Sequence, residues 1–174
     1  MKEIKKGYTM TLIGILCNVA GIAFSIPYLN IAGFVLMCYG IKYFDKENRF
    51  IKKVKTYSAA GILSCAVAII ILYFVKTDAS LLVIAVETIC TIYSSYYFTE
   101  FLIQEAGKAE RSAASKSFRI CWILSSGTLF LYYIAYMSGV TNIIFMAEIL
   151  ALISGVYFIF SISNGCKLIF YSED

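Results

Sequence analysis

The sequence predicts an all-α polytopic membrane protein: a six-transmembrane-helix bundle built from three helical hairpins, with both termini cytoplasmic. Three observations carry that prediction. Of 174 residues, 60% are hydrophobic and 15% charged, against roughly 45–50% apolar and about 25% charged in soluble domains. The charges gather in short clusters between long apolar runs, each near the ~20 residues a helix needs to cross about 30 Å of hydrocarbon. All but one of the fifteen Lys and Arg fall on one side of the resulting zigzag.

The spans fall at about 8–25, 28–44, 57–75, 80–102, 118–138 and 143–163, and together they make residues 1–174 a single membrane domain. In lipid, backbone groups must be bonded internally, so runs this long are expected to be helices. The alternating ten-residue strands of a membrane barrel are not in the pattern. The N-terminal MKEIKKGYTMTLIGILCNVAG has the basic start of a signal peptide. Its apolar run is long, no clear small-x-small cleavage site follows, and a second span begins almost at once, so it is read as the first helix.

The first and second spans are joined at Ile26-Pro27, where the only proline of the chain ends one helix and can start the next. Residues 76–79 and 139–142 are the other tight turns, and 45–56 and 103–117 are the longer, charged connections. Lys76 is the single basic residue on the tight-turn side. Short loops rich in Lys and Arg stay in the cytoplasm, which directs the tight turns outward and places both ends inside. The chain is thus expected in the cell membrane, with the lipid bilayer as its first partner. The net charge of +4 needs no nucleic acid, because topology and anionic headgroups account for it.

The second helix of each hairpin carries a Tyr-Phe pair, at Tyr43-Phe44, Tyr97-Phe98 and Tyr157-Phe158. A triplicated hairpin would produce this, and so would aromatic residues marking the interface level in every span; the second account is preferred. Thr11, Gly14, Asn18, Gly21 and Ser25 follow at steps of three and four and share one helical face. Gly61, Ser64 and Ala68 repeat the arrangement in the third span, and Ala147, Ala151 and Gly155 in the sixth, while 125–128 in the fifth is a local run of small residues. Such faces let helices approach closely, and Asn18 can bond across the contact.

The stretch IAVETICTIYSSYYF places one carboxylate, Glu87, inside the fourth span, on a face shared with Thr91, Ser94 and Ser95. That face should point into the bundle, since a charge at the membrane centre costs a few kcal/mol. Glu87 lies about 10 Å from the outer end of its helix, and Glu148 about 8 Å from the outer end of the sixth, at a rise near 1.5 Å per residue. Two carboxylates at one depth would bind a cation, share protons or face a water-filled vestibule. The candidate substrate-binding residues are therefore Glu87, Glu148, Asn18 and Thr91. The expected function is non-enzymatic transport or binding of a proton, cation or small polar solute through an outward-facing intramembrane site. The structural alternative is that each glutamate bonds a neighbour such as Asn18, Asn30, Asn142, Tyr132, Tyr133 or Tyr136.

The cytoplasmic connections carry the competing hypothesis, a non-catalytic sensor or accessory subunit. In it a partner protein docks on 45–55 (DKENRFIKKVK) and on 104–116 (QEAGKAERSAASK). The first has the composition of a short helix at headgroup level; the second, rich in good helix formers, is expected to extend the fourth helix. Glu100 and Gln104 share a face and are expected to pair with basic residues of the neighbouring loops, for example Lys42 or Lys108. The chain has no His and its six Cys are dispersed without a CxxC pair. The commonest metal ligand and general base are therefore missing, and the thiols read as small buried hydrophobes. With none of the common catalytic motifs present, no enzyme, cofactor or metal site is expected.

Overall fold

A computed structural model describes residues 2–71 and 80–170. The end of the expected third span (72–75), the turn at 76–79 with Lys76 and Asp78, and Asp174 lie outside the described residues. Within them the fold is all-helical: α1 (Lys2–Ala23), α2 (Pro27–Gly40) with a 3-10 turn at Ile41–Tyr43, α3 (Arg49–Ile70), α4 (Ser80–Lys108), α5 (Ser112–Ser138) and α6 (Thr141–Phe170).

Five of these, all but α2, are long and apolar enough to cross a membrane. The second helix has 14 residues, about 21 Å at 1.5 Å per residue, and its 3-10 turn carries the chain on to Tyr43. The other helices run past the spans read from hydropathy, because polar helix formers continue them beyond the apolar stretch. The third begins at Arg49, with Asn48 as its N-cap accepting from the Phe50 amide at 2.9 Å. Residues 49–55 are thus the first turns of a long helix and not a separate helix on the headgroups. Ile51 and Val54 are buried in the bundle. The 104–116 stretch extends α4 to Lys108, turns through Glu110 at φ 56°, and enters α5 at Ser112. At the opposite end Gly139, at φ 68°, closes α5 in the left-handed conformation that glycine adopts freely.

Helices adjacent in sequence pack side by side, and α1 also contacts α6 and, more lightly, α4. Of the apolar window of α1, 61% is buried, against 44% for α4 and 28% for α3, α5 and α6, so α1 is the most buried of these five helices. Its closest partner is α2, and glycines make that contact. A β-carbon on Gly14 would stand 2.6 Å from the Gly33 carbonyl oxygen; one on Gly7 would stand 2.9 Å from that of Gly40. Gly7, Gly14 and Gly21 recur every seven residues, as do Gly33 and Gly40, so one seam of each helix stays against the other. Of the small-residue face read from sequence, Thr11, Gly14, Asn18 and Gly21 are buried in this seam. Ser25 is not part of it: the helix has ended at Ala23, and Ser25 is exposed at φ 53°.

The other small-residue faces divide. Gly61 seats the Phe34 ring, and Gly155 seats Val19 of α1. Gly127 is exposed, with nothing within 4 Å of where a β-carbon would stand. Of the repeated Tyr-Phe pairs, each phenylalanine is core: Phe44, Phe98 and Phe158 are 7%, 0% and 0% exposed. The outer surface carries large apolar side chains such as Leu63, Leu82, Phe145 and Phe160, while Thr11, Asn18, Asn30, Glu87 and Ser94 lie inside. Water would penalise both halves of that arrangement; lipid favours it.

Gly14→Ala should destabilise the fold by about 1–3 kcal/mol, because the new methyl meets backbone that cannot yield easily. Gly127→Ala should be neutral or stabilising by up to about 1 kcal/mol through helix propensity. Thermal unfolding of the detergent-solubilised protein distinguishes the two.

Candidate functional site

Glu87 lies on the α4 face that packs inward, at 3% exposure, with Thr91, Ser94 and Ser95 at 1%, 0% and 6%. One carboxyl oxygen, Oε2, accepts a hydrogen bond of 2.6 Å from Nδ2 of Asn30, in the first turn of α2. The other, Oε1, has no hydrogen-bond partner; the Cys65 thiol of α3 faces the same carboxyl. An amide donor to a carboxylate is stronger than a neutral pair. One such bond does not offset the several kcal/mol needed to bury an ionised carboxylate.

Asn18 belongs to the same interior. Its Nδ2 donates to the Met37 sulfur at 3.5 Å, and the Ser94 hydroxyl reaches that sulfur at 3.9 Å and the Thr91 carbonyl at 3.1 Å. The two asparagines face glycines across the seam: Asn18 Oδ1 lies over Gly33 and Asn30 Oδ1 over Gly21. Neither oxygen has a hydrogen-bond partner, nor do the Thr88 and Thr91 hydroxyls. Four helices thus bring a carboxyl, two amides, two threonines and a thiol into the bundle, with several acceptors unused. Buried polar atoms are normally paired, and these are exceptions.

Of the residues read from sequence, the structure brings Glu87, Asn18 and Thr91 into this interior. Glu148 has different surroundings. It is half-buried on α6, beside Tyr132 of α5, whose hydroxyl also has Ser25 as a neighbour. Asn30, Met37 and Cys65 complete the surroundings of the cluster, and only Asn30 was singled out from sequence, as a bonding alternative for a glutamate. A signal existed: Asn30, Gly33, Met37 and Gly40 follow at steps of three, four and three, the counterpart on α2 of the face noticed on α1.

At the end of the bundle that carries the charged connectors, Glu100 pairs with Arg119 at 3.8 Å, Gln104 accepts from Asn48 at 3.1 Å, and Lys108 bonds Glu105 at 2.6 Å. Lys42 takes part in none of these and lies over the Tyr39 ring. Glu100 thus pairs with a basic residue as expected, with Arg119 and not with Lys42 or Lys108, while the partner of Gln104 is the amide of Asn48. The reason is register: Arg119 on α5 and Asn48 ahead of α3 stand beside α4, whereas Lys108 lies on α4 itself, three residues past Glu105. Tyr57, Tyr93 and Tyr97 stack at 5.0–6.4 Å along the α3–α4 seam, and Tyr96 meets Trp122 of α5 at 5.0 Å.

No protein-family model, curated protein or solved structure matches this chain. Fold and burial together define its class, a multi-pass α-helical membrane protein with a polar interior.

Asn30→Ala should destabilise by about 1–3 kcal/mol, because it strips the buried carboxyl of its donor. Glu87→Gln should cost less, since its amide oxygen still accepts from Asn30. In a double-mutant cycle, Asn30→Ala with Glu87→Ala should cost less than the sum of the single changes by about 0.5–3 kcal/mol.

Proposed function

We propose that this chain is a small, non-enzymatic transport or binding protein of the cell membrane, with six spans and both termini in the cytoplasm. Its intramembrane site is centred on Glu87, with Asn18 and Thr91, and takes a proton, a cation or a small polar solute from the outer side. Glu148, near the outer end of α6, is a second acid on the entry side. The observation that carries the proposal is the state of the Glu87 carboxyl: buried, with one oxygen bonded by the Asn30 amide and the other without a hydrogen-bond partner. A carboxyl so placed is neutralised by a proton or by a cation, and the neighbouring amide and hydroxyl oxygens are the ligand types that hard cations take. Intramembrane acids that face a bundle interior mark ion and proton paths by default.

Docking of a partner protein on 45–55 and 104–116 is the weaker proposal. Ile51 and Val54, apolar groups a partner would grip, are buried in the bundle, and Asn48, Glu105 and Lys108 are engaged within the chain.

Purified protein in proteoliposomes, loaded with a pH-sensitive dye, should support proton or cation-coupled flux that Glu87→Gln abolishes while the variant stays folded. Undiminished flux in that variant removes the site. Topology is tested separately by thiol labelling in a cysteine-free background: Glu47→Cys should be unreachable from outside intact cells, and Asn142→Cys reachable. The reverse pattern would invert the orientation.

A further inference from the structure

At the end of α2 and the start of α3 lies a cleft of about 230 Å³ lined by Cys38, Ile41, Lys42, Lys46, Ile51, Lys52 and Lys55. Four of its seven lining residues are lysines. Lys52 is paired with Glu47 at 2.7 Å. Lys42 lies over the Tyr39 ring at 5.1 Å, a cation–π contact. Lys42, Lys46 and Lys55 make no ion pair among the described residues. Three exposed lysines without an ion pair thus line one small cleft, where an anion would meet several cationic side chains at once.

The walls say which anion. Ile41 and Ile51 are nearly buried apolar side chains. One turn below Cys38, on the outward face of α2, Val35 is exposed, and so is Leu63 on α3. The lysines of the cleft stand where α2 ends and the charged connector begins, and both helices carry exposed apolar side chains farther along their length. A soluble phosphate would use the ammonium groups and gain nothing from the apolar side. An amphiphile with a phosphate head uses both.

We propose that this cleft is a binding site for an anionic phospholipid, its phosphate held by Lys42, Lys46 and Lys55 and its acyl chains running down the α2–α3 groove. The site depends on the membrane placement of the chain and is independent of Glu87. The lysines thereby act beyond general attraction to a negative leaflet: they select a lipid by headgroup charge at one groove.

The full chain in nanodiscs of phosphatidylcholine containing a minority of photoreactive phosphatidylglycerol should crosslink within 35–63, and a photoreactive phosphatidylcholine should not. Lys46→Gln with Lys55→Gln should weaken phosphatidylglycerol retention, read by native mass spectrometry, by roughly twenty-fivefold, about fivefold per basic residue. Lys167→Gln, an exposed lysine of α6, should leave retention unchanged. Equal crosslinking of the two lipids, equal loss on Lys167→Gln, or displacement of the lipid by millimolar inorganic phosphate would each overturn the proposal. Release of a bound protein by the double variant, with lipid retention intact, would also overturn it and assign the cleft to that partner. The crosslinking arm uses only the wild-type chain, so it stands whether or not the variants fold.

Discussion

The structure depends on two helix backbones touching. Between α1 and α2 the side chains that would hold the helices apart are absent at Gly7, Gly14, Gly21, Gly33 and Gly40. In a bilayer the hydrophobic effect does not drive helices together, so close backbone approach and polar contacts must do it. The seven-residue recurrence of the glycines keeps the contact in register over the length of α2. It also buries α1, the most buried of the five long apolar helices, and makes it the axis against which α6 packs through Gly155 and Val19.

That contact also places the polar interior. Each asparagine sits where the opposite helix has a glycine: Asn18 over Gly33, Asn30 over Gly21. A larger residue at either glycine would displace the amide. With Asn30 held in this way, its Nδ2 is presented to α4, and Glu87 takes the bond. The glycine seam thus contributes twice, through packing and through the position of the amide donor that bonds the buried carboxyl. Polar residues are costly in such an interior unless they are paired, yet several here are not. The unpaired atoms belong to Asn18, Asn30, Glu87, Thr88 and Thr91, and also to Ser58, Trp122 and Tyr132.

The charged end of the bundle obeys different physics. There water screens the ions, and exposed pairs such as Lys52 with Glu47 contribute little. What orders that end is apolar and aromatic packing: Phe44 against Phe98 and Phe101, and Tyr57 against Tyr93 and Tyr97.

Much of the fold was legible in the sequence because a bilayer imposes simple rules. Apolar length gave helices, Pro27 gave the first turn, and Glu87 with Thr91, Ser94 and Ser95 gave an inward face. Periodicity also revealed the α1 seam, since Thr11, Gly14, Asn18 and Gly21 sit one helical step apart. Hydropathy alone did not give the helix ends: α3 starts at Arg49 and α6 runs to Phe170, because polar residues continue a helix as readily as apolar ones. Nor did it reveal that α2 is only 14 residues long. What only the tertiary structure decided is pairing. Asn30 meets Glu87 while Glu148 lies beside Tyr132, and Glu100 meets Arg119 and not Lys42. Spacing along one helix fixes which side chains share a face. Which face of which neighbour they meet depends on how close the backbones come and in what register, and that is set by glycines distant in sequence.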